Sequence, residues 1–191
     1  FLLSLCFVVL GQQDIKARSR QKDIPILAWY SIPPGEYATE ERYQELKDCG
    51  FNYSFSHIYT KKDALRALDL CRKDGMKSIF MCPELKSGTE ATVKQVRRHR
   101  ALGGYFLRDE PQNADLEELG KWARRVESVD AKHPCYLNLL PSWAFSQSGY
   151  KEHLRLFDKQ VNLPLLSFDH YPLLRRGKEV FVRAEFYENL E

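Results

Sequence analysis

The sequence predicts an α/β fold in which strands and helices alternate and the parallel sheet curls into a (β/α)8 barrel. Three observations carry this expectation. Short apolar runs recur along the chain, beginning roughly 25 to 30 residues apart, the size of one β-α unit. The stretches between them carry one apolar face each, as helices covering one sheet do. Polar or aromatic residues then stand at the end of nearly every run, which is where barrel folds gather their chemistry.

The apolar runs are residues 24–31, 51–58, 76–82, 105–107, 135–140 and 163–168. Thr39 caps a helix whose first turn carries Glu40 and Glu41, favourable at the positive dipole end, and Gly50 supplies a left-handed stop. Tyr43, Leu46 and Cys49 form its buried stripe. Leu65, Leu68 and Cys71 repeat the pattern in the next unit, closed by Gly75, and Leu116, Leu119, Trp122 and Val126 do so after a start at residues 113–115. Further helices are expected over about residues 150–161 and 181–191.

A doubly wound nucleotide-binding sheet would carry a glycine-rich phosphate turn after its first strand. Here that strand runs into Trp29, Tyr30, Ser31, Ile32 and two prolines. Instead, Trp29, Tyr30, His57, Glu84, Asp109, Glu110, Asn138, Asp169, His170 and Tyr171 mark successive strand ends, a ring that suits a barrel. About six β-α units leave two open edges, so an incomplete barrel lacking its last two strands is expected.

Composition narrows the partners. With 43% hydrophobic and 13% aromatic residues the chain has the balance of one globular domain. Its net charge is only +3, and the basic residues are spread through helices, so no nucleic-acid partner is expected; Arg97, Arg98, His99 and Arg100 read as a solvated helix face. Residues 1–11 read as a secretory signal with its start missing, too short for a membrane span, which places the mature protein outside the cytoplasm, periplasmic or extracellular. A polar connector over 12–22 then leads into a domain over 23–191. Cys49, Cys71, Cys82 and Cys135 form no metal pattern and read as isolated buried thiols; no cofactor or metal is expected.

The leading chemical signal is the stretch Gly103-Gly104-Tyr105-Phe106-Leu107-Arg108-Asp109-Glu110-Pro111. Tyr105 to Leu107 suit a central strand, and Pro111 ends it, so Glu110 falls where parallel folds bind ligands. A carboxyl in that place suits general acid or base work, and Glu110 is the leading catalytic candidate. Glu84 and Asp169 are further acids at strand ends, suited to hydrogen bonding with substrate or to partnership with Glu110. Trp29, Tyr30, Trp143 and Tyr171 offer flat apolar surfaces to a ligand, Asn138 and His170 offer hydrogen bonds, and each would serve equally in a core.

Leu107-Arg108-Asp109-Glu110-Pro111 resembles the Asn-Glu-Pro segment of the large clan of retaining glycoside hydrolases with (β/α)8 barrels, which includes β-galactosidases. With Ser167-Phe168-Asp169-His170-Tyr171-Pro172, the chain is similar to exported bacterial barrel proteins of glycosidase type. The resemblance implies a carbohydrate substrate, Glu110 as general acid/base, and a nucleophilic glutamate on strand seven, beyond this chain. It also places a substrate-binding asparagine where Asp109 stands. An aspartate there accepts a hydrogen bond but donates none, and its charge raises the Glu110 pKa, with Arg108 as a neighbouring counter-charge. The substitution leaves open a barrel that binds carbohydrate without cleaving it, and the fold alone leaves open a lyase or aldolase, against which the lack of a strand-end lysine speaks.

Overall fold

The computed structural model describes residues 24–58 and 60–183. The expected signal and connector therefore lie outside the described residues. Five strands, β1 (Leu27–Ala28), β2 (Tyr53–Ser54), β3 (Lys77–Phe80), β4 (Leu102–Asp109) and β5 (Cys135–Asn138), form one sheet in chain order. Every pair in it is parallel. With its helices this is half of a (β/α)8 barrel.

The helices are α1 (Glu40–Asp48), α2 (Lys61–Lys73), α3 (Pro83–Ser87), α4 (Thr89–Val96), α5 (Leu116–Val129) and α6 (Gln147–Gln160). Thr39, Thr60 and Ser146 cap three of them by accepting from the backbone N–H groups of Arg42, Asp63 and Gly149. Gly50 and Gly75 follow α1 and α2 with φ of 93° and 67°, the left-handed stops that only glycine adopts freely. Before α5, Gln112 and Asp115 exchange hydrogen bonds as a capping box around a short 3-10 turn, Asn113–Asp115.

The sheet separates two apolar layers. Its outer face packs on the helices through residues such as Leu68, Leu85, Leu102, Tyr105, Leu116 and Leu137. Burying a leucine of this kind stabilises the fold by about 1.5–3 kcal/mol. The concave face carries Phe55, Ile79, Phe106 and Tyr136, with Leu27, Trp29, Tyr53 and Met81 packed against them. Strand alternation produces this division: Tyr53 and Phe55, Ile79 and Met81, and Tyr136 and Asn138 each sit two residues apart.

Strand β4 breaks that alternation twice. Ser78 pairs with Leu102 but Ile79 with Gly104, which leaves Gly103 as an extra residue. A Cβ on Gly103 would lie 2.7 Å from the Tyr53 ring, so the bulge closes only on glycine. Further on, Phe106 pairs with Tyr136 but Arg108 with Leu137, which makes Leu107 the second extra residue.

Several expectations are corrected. The apolar run at 163–168 makes only an isolated parallel bridge, Leu139 with Phe168, because Pro164 has no N–H to give a ladder and Leu165 and Leu166 face outward. The helix expected from residue 181 is not formed at its start: Phe181 and Val182 belong to β7 (Glu179–Val182), antiparallel to β6 (Leu173–Arg176). Gly177, with φ of 63°, makes the two-residue turn between them, and the β-branched and aromatic residues 180–182 favour extension. The rest of that expected helix, from residue 184, lies outside the described residues. Cys49 is exposed beyond the end of α1, while Cys71, Cys82 and Cys135 are buried thiols. Arg97 is tied down, donating to the Val129 carbonyl at 2.8 Å.

Candidate functional site

The carboxyl end of the sheet gathers polar groups from three neighbouring segments. Glu110 follows β4 directly, its backbone N–H donating to the Asn138 carbonyl at 2.8 Å. Asp169 follows the Phe168 bridge, its N–H donating to the Leu139 carbonyl at 3.1 Å. These backbone bonds bring the ends of β4, β5 and the sixth segment together. Glu110 has φ of 44°, a left-handed conformation uncommon for a non-glycine residue and concentrated at functional sites.

The side chains form one hydrogen-bonded chain with fixed direction. Ser167 Oγ donates to Asn138 Oδ1 at 2.8 Å, and Asn138 Nδ2 donates to Asp109 Oδ1 at 3.3 Å. Since a hydroxyl has one proton, the 3.0 Å contact between Tyr136 and Ser167 has tyrosine as donor. The relay Tyr136, Ser167, Asn138 therefore ends on the Asp109 carboxylate. Asp169 stands near enough to Glu110 and to the Tyr171 hydroxyl for its charge to act on both.

Electrostatics follow from this crowding of acids. Glu110 reaches the surface, yet partial withdrawal of its carboxyl from water pushes its pKa up, and the charges of Asp169 and Asp109 and the hydrogen bond to Asp169 add to the effect. The Asp169 charge pushes the Tyr171 hydroxyl up in the same way, followed by burial and by the charges of Glu110 and Asp109. Burial, with both aspartates, raises Tyr136. Arg108 does not act as the counter-charge the sequence suggested. It lies on the helix side, in a groove with Lys86, Asp115, Glu118, Trp122 and Arg125, because the Leu107 bulge turns it away from Asp109.

Trp29 stands half-buried beside this cluster, its ring 4.8 Å from Phe55, 5.6 Å from Phe106 and 6.0 Å from Tyr136. Tyr30 is exposed, lies 4.7 Å over the His57 ring and shares the positive φ, 49°, seen at Glu110. Together they make an aromatic wall at the rim of the concave face. His170 is half-buried between Asp169 and the exposed Tyr171.

Two residues from the sequence-based set stand elsewhere. Glu84 occupies the first turn of α3, its Oε2 buried without a hydrogen-bond partner among the described residues, and no hydrogen bond or ion pair among them joins it to Glu110. Trp143 lies in a 3-10 turn, Ser142–Ala144, with the Arg183 guanidinium 5.0 Å above its ring. Conversely, Tyr136 and Ser167 belong to the site's wiring and were not singled out from sequence. Each lies two residues before a residue that was, Asn138 and Asp169, so strand alternation was the available signal. Among the described residues, no group of three or more His, Cys, Asp or Glu could hold a metal, and no helix is long and apolar enough to cross a membrane.

No protein-family model and no curated protein sequence matches the chain. Solved structures do share its fold. A protein from Bacteroides thetaiotaomicron assigned as an α-L-fucosidase superposes with a TM-score of 0.53 at 11% identity, over 78% of this chain and 62% of that one. An FMN-binding β-glucuronidase from Faecalibacterium prausnitzii superposes with a TM-score of 0.50 at 15% identity, over 78% of this chain and 25% of that one. An endo-1,4-β-mannanase from Eisenia fetida gives 0.49 at 11% identity, over 68% and 59%. The chain thus spans about three fifths of the fucosidase and mannanase and a quarter of the glucuronidase. At these identities the likeness is one of fold.

Proposed function

We propose that this is a glycoside hydrolase domain acting on O-glycosidic bonds of an oligo- or polysaccharide with retention, and that Glu110 is its general acid/base. The observation that carries the reading is the Glu110 carboxyl itself, set in a left-handed backbone at the end of β4 among acids that favour its protonated form. In the first step a second carboxylate bonds to the anomeric carbon as the glycosidic C–O bond breaks, and the Glu110 proton passes to the departing oxygen, which keeps the bonding pair. In the second step water bonds to that carbon and displaces the carboxylate while Glu110 takes a proton from the water. The aromatic wall of Trp29 and Tyr30 supplies a surface for sugar rings beside it.

A retaining enzyme needs a second carboxylate about 5–5.5 Å from the acid/base to attack the anomeric carbon. The nucleophile in this reading is a carboxylate outside the described residues.

The test is Glu110→Gln in the full protein. Turnover of a substrate with a poor leaving group falls by about 100-fold or more, since the variant has no proton to give. An activated aryl glycoside loses less in the first step, and azide restores the second by attacking without a general base. Unchanged hydrolysis of both substrates would remove Glu110 from the acid/base role. A parent protein that binds oligosaccharides but cleaves none would support a binding barrel instead.

A further inference from the structure

We infer that His153 is an acid-sensitive latch on the turn that leads the chain from Glu110 into α5: as a neutral imidazole it ties α6 to that turn through Asn113, and as an imidazolium it cannot stay in place. The inference concerns how the turn is held and stands whether or not Glu110 is a general acid. His153 lies fully buried in α6, its ring stacked 4.8 Å from that of Phe145 at an interplanar angle of 27°. Its Nδ1 stands 2.5 Å from Oδ1 of Asn113, three residues beyond Glu110. An amide oxygen only accepts, so Nδ1 carries the proton and donates. Nε2 is then a bare acceptor, buried and without a hydrogen-bond partner among the described residues. The turn it holds is closed on itself as well, Gln112 N–H donating to Asp115 Oδ2 at 2.9 Å and Asp115 N–H to the Gln112 carbonyl at 2.9 Å.

A second proton on the ring goes to Nε2. It creates a donor without an acceptor and a charge withdrawn from water, and the Phe145 face, though it attracts a cation, supplies no acceptor. Water reaches Nε2 only if α6 draws back from the turn. The charged groups on the elements packed around His153 are engaged elsewhere. Asp115 in the turn accepts from Gln112, and at the start of α5 Glu117 and Glu118 pair with Lys121. Where α5 meets α6 at Gly120, Arg124 donates to the Gln160 carbonyl. On α6 itself Glu152 pairs with Arg155, and burial raises the Tyr150 pKa and keeps its hydroxyl neutral. Burial is accordingly the sole cause that lowers the His153 pKa. The closed form then binds fewer protons than an opened one, so the tie is complete above the ordinary histidine value of about 6.5 and weakens as pH falls below it.

The experiment is backbone amide exchange of the full chain, read at Gln112 and Asp115 and corrected for the intrinsic dependence of exchange on pH. Between about pH 7 and about pH 5 the opening of these two amides is expected to rise, by up to about tenfold per unit, the limit for one coupled proton. His153→Asn keeps an amide N–H close to where Nδ1 stands and cannot ionise, so its opening should stay flat over the same range. A parent whose opening is flat overturns the inference. So does a His153→Asn protein whose opening rises as steeply as the parent's, since the sensitive group then lies elsewhere. If that variant does not fold, the ring titration of the parent decides. By nitrogen NMR, with His153 assigned through its contact with the Phe145 ring, the neutral form should carry its proton on Nδ1 and persist below the pH at which exposed histidines ionise. A proton on Nε2, or ionisation at the ordinary histidine value in a protein whose turn stays closed, overturns the latch. These readouts need no substrate. Lost activity in Glu110→Gln with a flat opening profile keeps the hydrolase reading and removes the latch, and a rising profile in a protein that cleaves nothing does the reverse.

Discussion

Tyr105 lies within β4 and Glu110 just beyond its end, and each belongs to a cluster built around acidic side chains. The two clusters settle their acids in opposite ways. Near the start of β5, buried Asp130 accepts from Tyr105 Oη at 2.7 Å and from the Lys132 N–H at 3.1 Å, with His133 Nδ1 at 2.7 Å. Burial alone would push its pKa up, but these three partners together hold it below the usual aspartate range. At the carboxyl end, Glu110 has carboxyls for neighbours and its pKa goes up. An acid's charge state is therefore set by whether its neighbours donate or compete. The first cluster keeps its ion and binds the loop before β5 to the sheet. The second keeps a proton available.

Asp130→Ala should show the largest effect on folding. It leaves the buried Tyr105 hydroxyl without its acceptor, and denaturant unfolding at neutral pH should register a loss of about 3 kcal/mol. The sign with pH follows from a depressed folded-state pKa. The contribution is fully present above the ordinary aspartate value of about 3.9 and is lost as pH falls through the lower folded value. The two proteins should therefore converge in strong acid. A pH-independent difference would mean that the ionised carboxylate is not what Tyr105 and His133 recognise.

Glu110→Gln should do the reverse, and more weakly. With its folded pKa raised, Glu110 makes the native state bind more protons than the unfolded one above about pH 4.3, so stability falls as pH rises from there through the folded value. Glutamine removes that cost. Thermal unfolding at pH 7 should show the variant slightly more stable, solvent screening of the exposed carboxyl keeping the gain small, with no gain below the ordinary glutamate range. A variant less stable than the parent at pH 7 would show that the carboxyls support the fold instead of straining it.

Arg108→Ala is the smallest change and sharpens the comparison by having little effect. Its stability should shift by no more than about 0.5 kcal/mol, and the Glu110 titration should stay in place. If the titration moves up, the guanidinium is felt across the strand and the acid cluster is less isolated than its geometry implies.

Much of this arrangement could be read from the chain before the fold was known. The period of the apolar runs identified the parallel sheet, and Pro111 marked where β4 stops. Pro164 carried the opposite message for the sixth run, where an apolar stretch conceals a missing ladder donor. The hairpin over 173–182 was missed because its signal is one glycine turn between two short runs, while its charged residues suit a helix surface as well. The site was legible as a set of strand ends but not as a network. Glu84 and Asp169 look alike in sequence, and only the fold sets Asp169 near Glu110 and Glu84 in the first turn of α3 with a buried carboxyl oxygen. The positive φ of Tyr30 and Glu110 left no trace either, since neither residue type favours it.

The bulge at Leu107 decides the sign of charge that the concave face presents. Paired without the extra residue, strict alternation from Phe106 would aim Arg108 at the aromatic wall and send Asp109 out to the helices. With it, Leu107 and Arg108 both face outward and Asp109 turns inward to meet Asn138. A strand that slipped by one residue would offer the same ligand a guanidinium in place of a carboxylate, a pocket for anions made from an unaltered sequence.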